Sequence, residues 1–190
     1  ILEILSQSEI IYLVLIMIAT AIPAGFAAGL FGIGGGLVTV PILFYIFSFS
    51  GIETAYVMHL AVGTSFGIII PTSTVSVLTH HQHKAVDFSI VKGFGFFVAT
   101  GVILGTIFAA SLETKPLILF FTIIVYVLAF YLLFLKEKET NIEIKIGLFS
   151  KAISGIVSGF ISAPMGIGGA VMNVPILKFF GYPINKAIGS

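Results

Sequence analysis

The chain has no cysteine, which excludes disulfides and thiolate metal centres. It has no arginine either; all nine of its basic residues are lysines. With no basic stripe along the chain, nucleic-acid binding is excluded as well. Charge of either sign is scarce, at 9% of residues against roughly a quarter in soluble domains. That is too little to cover a surface facing water. There is no H-E-x-x-H, no nucleophile elbow and no buried acid–base pair, so no catalytic residue is assigned and an enzyme is not expected. No carboxylate pair falls inside an apolar run, so a proton relay through Asp or Glu has no support. Neither a cofactor nor a metal is expected.

What fills the space is apolar: 58% of residues are hydrophobic. Several uncharged runs reach the ~20 residues that cross a hydrocarbon core. They are Ile10–Phe31, Phe94–Leu112, Pro116–Leu135 and, with one histidine inside it, Tyr56–Thr79. The runs are continuously apolar rather than alternating, which argues against a β-barrel. Ile10–Phe31 is too long, and lacks the basic flank, for a cleaved signal peptide. The fold class expected is therefore all-α, a polytopic transmembrane protein set in the lipid bilayer. Its helices are expected over Ile10–Phe31, Leu37–Ser50, Tyr56–Thr79, Phe88–Leu112, Pro116–Leu135, Ile146–Ala163 and Ala170–Phe180, with an eighth from near Ile184. Leu37–Ser50 is only ~21 Å long at 1.5 Å per residue, short for a crossing. Either the glycines before it lie within the membrane, or they form a re-entrant tip.

Those glycines belong to a repeat. Gly32-Ile33-Gly34-Gly35-Gly36-Leu37-Val38-Thr39-Val40-Pro41-Ile42-Leu43 returns 134 residues later as Gly166-Ile167-Gly168-Gly169-Ala170-Val171-Met172-Asn173-Val174-Pro175-Ile176-Leu177, with eight of twelve positions identical. Upstream, Gly25–Gly29 resembles Gly155–Gly159; downstream, Ala61–Thr64 resembles Ala187–Ser190. One transmembrane domain over residues 1–190 is expected, with repeat one at about 10–135 and an incomplete repeat two at about 146–190. The chain starts with Ile and stops inside a pattern that its first half carries further, so it is expected to be part of a longer protein. Two related halves with matching breaks point to a transporter or channel whose binding site lies at the breaks.

Lysine placement gives an orientation. Lys84 and Lys92 flank the His80–Asp87 loop, and Lys136, Lys138, Lys145 and Lys151 flank the Leu135–Ile146 loop. Two crossings separate these loops, so both are assigned to the cytoplasm. If each glycine motif is a hairpin tip, Lys178 and Lys186 join them and the repeats are inverted. If each is a bend in one broken span, the repeats are parallel. Inversion is favoured, because it leaves Lys115 as the one lysine outside.

A run such as Gly34-Gly35-Gly36 has no side chains to cover its backbone, and in hydrocarbon uncovered amides are costly. It must line a cavity or a ligand. The helix that follows presents orphan N–H groups and the positive end of its dipole. Together these form a cradle for an anion without a formal charge. Gly34, Gly35, Gly36 and Thr39, with Gly168, Gly169 and Asn173, are the expected substrate contacts. Thr39 and Asn173 hold equivalent positions and add hydroxyl and amide donors. His59 is an ionisable group inside an apolar run, and such groups are functional candidates. A histidine bonded to a backbone carbonyl is the competing account. Thr64 and Ser65 follow on the same helix and would extend a polar pathway. His80, His81 and His83 resemble a metal cluster, but a solvated loop accounts for them better. Gly25, Gly29, Gly155 and Gly159 show G-x-x-x-G spacing and are expected to serve helix packing. Pro71 and Pro164 are expected to kink or end their helices, freeing carbonyls that could face a pathway. Pro41 and Pro175, about one turn into their helices, read as structural.

Gly29-Leu30-Phe31-Gly32-Ile33-Gly34-Gly35-Gly36 followed by Val40-Pro41-Ile42-Leu43 resembles the signature of the sulfite exporter TauE/SafE family. Ala61-Val62-Gly63-Thr64-Ser65, the turn His80–Val86 leading into Asp87-Phe88, and the second motif at Gly166–Leu177 fit the same resemblance, in order. It covers nearly the whole chain. The resemblance implies a secondary transporter of small sulfur oxyanions such as sulfite, sulfoacetate or a related organosulfonate, working as an exporter in a prokaryotic plasma membrane. The expected partners are that anion and the bilayer, with a homo-oligomer left open. A passive anion channel, or a scaffold or receptor subunit without transport, are the alternatives.

Overall fold

Backbone amides in lipid must be satisfied within their own segment, and helices do this without a neighbouring strand. The computed structural model describes residues 7–31, 35–82, 86, 88–134 and 147–181, and among these there are seven α-helices and no strand. They are α1 (Gln7–Phe31), α2 (Gly36–Phe49), α3 (Val57–Gln82), α4 (Phe88–Ser111), α5 (Thr114–Phe134), α6 (Leu148–Met165) and α7 (Ala170–Phe179). Each of the seven expected helices is present, with ends displaced by three residues at most. The expected eighth, near Ile184, lies outside the described residues, as do Gly34, His83, Lys84, Lys136, Lys138, Lys145 and Lys186.

Val57–Gln82, Val91–Ser111, Thr114–Tyr131 and Leu148–Met165 are each long and apolar enough to cross a membrane. Their outward faces carry large apolar side chains, among them Ile70, Ile107, Tyr126 and Val157. That is the surface a bilayer requires and water does not. The buried centre is built from α2, α3, α5 and the α6–α7 region, through Val40, Leu43, Met58, Ala61, Leu117 and Met165. Between α1 and α2, against Ile68 of α3, lies a cavity of about 270 Å³ with almost wholly apolar walls; Thr20 and Thr39 are its polar residues.

The neighbours fix helix directions. Thr39 near the start of α2 lies beside Ser65, eight residues into α3, and the Ser50–Tyr56 turn joins their other ends, so α2 and α3 are antiparallel. His59 at the start of α3 reaches Ala109 at the end of α4, so these two are antiparallel as well. α4 and α6 run parallel: Gly101 sits against Ile156 and Gly105 against Phe160. At the beginning of this pair the Lys151 amine approaches Gly93. Lys115, at the start of α5, belongs to the opposite end, where the Thr114 hydroxyl donates to the Ala55 carbonyl.

The α4–α6 contact is backbone against backbone. A Cβ on Gly159 would fall 2.2 Å from the Val98 carbonyl oxygen, and one on Gly101 would fall 2.2 Å from that of Ile156. Such approach is what small residues at four-residue spacing permit. Gly155 and Gly159 therefore serve packing. Their partners Gly101 and Gly105 show the same spacing. Gly25 does not pack: no described atom lies within 4 Å of its Cβ position. Pro71 does not end its helix, which continues to Gln82. Pro164, one residue from the end of α6, withholds an N–H from the Phe160 carbonyl. That carbonyl faces no pathway; a Cβ on Gly105 would stand 2.4 Å from its oxygen, so α4 covers it.

Candidate functional site

Both glycine motifs start their helix with the same hydrogen bonds. The Gly35 carbonyl accepts from the amides of Val38 (3.1 Å) and Thr39 (2.9 Å), and the equivalent Gly169 carbonyl accepts from Met172 (3.0 Å) and Asn173 (2.8 Å). The chain reaches these starts differently. Gly35 is right-handed, with φ −60°. Gly166, Gly168 and Gly169 have φ +64°, +74° and +82°, where an L side chain is strained. Gly166 closes α6 as a left-handed cap, with its amide bonded to the Ala163 carbonyl and the Ile167 amide to that of Ser162.

The two motifs meet, and they meet out of register. Gly36, fifth in its copy, lies against Gly166, first in the other. A Cβ on Gly36 would fall 2.0 Å from the Gly166 carbonyl oxygen and 2.5 Å from the Ile167 Cα. The negative end of the α6 dipole thus faces the positive end of α2. Ser65 of α3, fully buried, joins them: its hydroxyl donates to the Gly166 carbonyl at 2.8 Å and lies 3.1 Å from the Thr39 hydroxyl. With the one Ser65 proton directed to Gly166, Thr39 is the donor between the two hydroxyls. That one Thr39 proton is shared with the Gly35 carbonyl, 3.0 Å away. The junction sits about 12 Å along α3 from its start, within the ~30 Å of a hydrocarbon core.

On the far side of the junction Asn173 makes its own arrangement. Its Oδ1 accepts from the Ser158 hydroxyl of α6, which is fully buried. Its Nδ2 is turned to the motif, 3.1 Å from the point a Gly169 Cβ would occupy. Gly168 is exposed, with the Ile69 side chain beside it. Gly35 has open space where a side chain would go.

The structure therefore gathers Gly35, Gly36, Thr39 and Ser65 against Gly166, and holds Gly169 and Asn173 together at the start of α7. His59 stands apart. Its Nε2 lies 3.2 Å from the Ala109 carbonyl, and its buried Nδ1 has no partner among the described residues. It is six residues from Ser65, about 9 Å along the helix. Thr64 is half-buried. His80 and His81 fall in the last turn of α3. Among the described residues no group of three His, Asp or Glu comes close enough to hold a metal. Ser158 carries no motif of its own; the signal for it is the repeat, where it replaces Ala28 of the first copy.

The groups lining the junction are hydroxyls, one carboxamide and the amides that open α2 and α7. None of them is ionisable, and the Gly166 and Gly35 carbonyls stand among them as acceptors for the hydroxyls.

Comparison with known proteins finds membrane proteins. A probable membrane transporter protein of Haemophilus influenzae is 34% identical over 167 residues, covering 88% of this chain and 63% of its own. One from Methanocaldococcus jannaschii is 28% identical over 185 residues, covering 96% of this chain and 68% of its own. A third, from Bacillus subtilis, is 25% identical over 201 residues, covering 92% and 71%. The chain thus spans less than two thirds of the Haemophilus relative. No solved structure matches it. Residues 17–190, and with them both glycine motifs, match the sulfite exporter TauE/SafE family, and the chain belongs to that family.

Proposed function

We propose that the protein is a secondary transporter that exports a small sulfur oxyanion, such as sulfite, sulfoacetate or a related organosulfonate, across a prokaryotic plasma membrane. The observation that carries this is the junction of the two glycine motifs, where Gly36 abuts Gly166 and Thr39 and Ser65 bridge them. Substrate contacts are assigned to Gly34, Gly35, Gly36, Thr39, Gly168, Gly169 and Asn173. The two breaks approach each other from opposite ends of the bundle: α6 arrives at the junction from the Lys151 end, and α2 leaves it toward the Glu53 end. α7 turns back along α6, since Ser158 bonds Asn173 and Leu177 packs with Phe94 near the start of α4, so the second motif is a hairpin tip entered from the Lys151 end. This supports the inverted arrangement, in which motion of one half against the other exposes the site to each side in turn. A negative-inside potential drives an anion outward by ~2.3 kcal/mol per charge per 100 mV, so export needs no coupling ion.

The test is counterflow of labelled sulfite, sulfoacetate and sulfate in proteoliposomes holding the full-length protein. Saturable exchange of sulfite or sulfoacetate is expected. Large unitary currents without counterflow would replace the carrier with a channel, and no flux of either kind would leave a scaffold.

A further inference from the structure

Two buried hydroxyls on α6 have no place in the family signature. Ser158 is wholly buried and donates to Asn173 Oδ1. Ser162 is 2% exposed, and its Oγ has no hydrogen-bond partner among the described residues. Buried hydroxyls are normally satisfied, often by their own helix, so an unsatisfied one needs a reason.

Position supplies the reason. Residues four apart on a helix share a face. Ser158 looks onto α7 through its bond to Asn173, and Gly159 packs on α4, so Ser162, four residues from the one and three from the other, lies on the edge of α6 between these two helices. In the α6–α7 hairpin the chain turns at Gly166–Gly169. Ser158 lies eight residues before Gly166 and pairs with Asn173, seven residues after it. Ser162 is therefore level with Gly169 and Ala170, where the first α7 amides stand outside the helical ladder.

We propose that α6 supplies the wall of an oxyanion subsite at the start of α7. Ser162 Oγ donates to the bound anion, and Ser158 is a positioning residue that occupies the acceptor of the Asn173 carboxamide, leaving Nδ2 to face the ligand. The subsite then turns donors toward the ligand: the Ser162 hydroxyl, the Asn173 Nδ2 and the first backbone N–H groups of α7. A tetrahedral or pyramidal oxyanion carries several acceptor oxygens and fits such a set; a cation does not. The first copy has Ala28 in place of Ser158 and Thr39 in place of Asn173. The two halves of the site are thus chemically unequal, with the second carrying a carboxamide where the first has a hydroxyl, and a serine where the first has an alanine. This rests on the proposed anion transport and adds two residues and a division of labour to it.

The experiment is sulfite counterflow in proteoliposomes with full-length wild type, Ser162→Ala, Ser162→Thr, Ser158→Ala and Asn173→Asp, each matched for thermal stability in detergent. Ser162→Ala should raise the sulfite KM about tenfold, the loss of one hydrogen bond to a charged group, with maximal flux retained. Ser162→Thr, which keeps the hydroxyl, should restore it. Ser158→Ala should raise KM by a smaller factor. Asn173→Asp, which can still accept from Ser158 but turns an acceptor toward the ligand, should lose sulfite flux while remaining folded. An unchanged KM in Ser162→Ala, with wild type active, overturns the subsite and leaves the transport assignment standing. A wild type inert toward sulfite, sulfoacetate and sulfate overturns the transport assignment itself. Equal loss in Ser162→Ala and Ser162→Thr reduces Ser162 to packing and also overturns the subsite.

Discussion

Gly36 and Gly166 touch through their backbones, so neither half of the repeat can move against the other without parting this pair. A Cβ on Gly36 meets a carbonyl oxygen at 2.0 Å and an α-carbon at 2.5 Å, and neither can swing aside as a side chain could. Gly36→Ala should therefore force the motifs apart. Overpacking of this kind costs about 1–3 kcal/mol, or roughly 2–12 °C in melting temperature. Gly35→Ala is the matched control, since Gly35 is right-handed and faces open space. A melt in detergent should show loss for the first and none for the second; equal melts would mean that the contact does not constrain the fold.

Ser65 should be worth more than an ordinary buried serine, because its hydroxyl joins two motifs 134 residues apart. Ser65→Ala leaves the Gly166 carbonyl without its hydroxyl donor and the Thr39 hydroxyl without its acceptor on α3. A loss of about 1–2 kcal/mol is expected. Combined with Thr39→Val, the effects should be non-additive by at least about 0.5 kcal/mol, as for groups in direct contact. Strict additivity would remove the bridge.

The helices were legible in the sequence because apolar length and glycine punctuation are local properties, and each end lies within three residues of expectation. The site was legible in part. Gly35, Gly36, Thr39 and Ser65 do come together, but two cradles facing one another through equivalent glycines would have paired Gly36 with Ala170. The offset to Gly166 depends on how far α6 extends before its left-handed cap, and α6 carries about one extra turn relative to the first copy. Length differences of this kind set register between distant segments and leave no periodic trace. Ser162 was invisible for another reason: a serine in an apolar helix usually bonds its own backbone.

Close approach of α4 and α6 should make Gly159 the most sensitive glycine outside the motifs. Its Cβ position lies 2.2 Å from the Val98 carbonyl oxygen and 2.7 Å from the Val102 nitrogen. Gly159→Leu should prevent the helices from docking and abolish the folded protein on size exclusion in detergent. Gly25→Leu, with the same spacing signature and open space around it, should leave the elution profile unchanged. Failure of both variants alike would mean that spacing alone, and not this contact, decides.

For His59 the geometry favours a clip over a pathway group. Nε2 ties α3 to the Ala109 carbonyl of α4, away from the junction. His59→Leu should cost about 1 kcal/mol of stability and leave sulfite flux per folded molecule near wild type. His59→Gln, which can still donate, should recover the stability. Flux lost at full stability would return His59 to the pathway.

The absence of native cysteine makes each engineered thiol unique, and this turns the orientation of the repeats into a labelling experiment. Thr54 lies in the exposed turn between α2 and α3, and Phe180 follows α7. If the motifs are hairpin tips entering from opposite faces, Thr54→Cys and Phe180→Cys emerge on opposite sides of the membrane. If each motif is a bend in one continuous crossing, both emerge on the same side. Lys115→Cys and Lys151→Cys mark the two ends of the bundle independently, because α5 starts where α4 ends and α6 starts beside Gly93. In sealed vesicles a membrane-impermeant maleimide should label Thr54→Cys together with Lys115→Cys, and Phe180→Cys together with Lys151→Cys. The pairing of Phe180→Cys decides the matter, since grouping with Lys115→Cys would make the repeats parallel and remove alternating access between inverted halves.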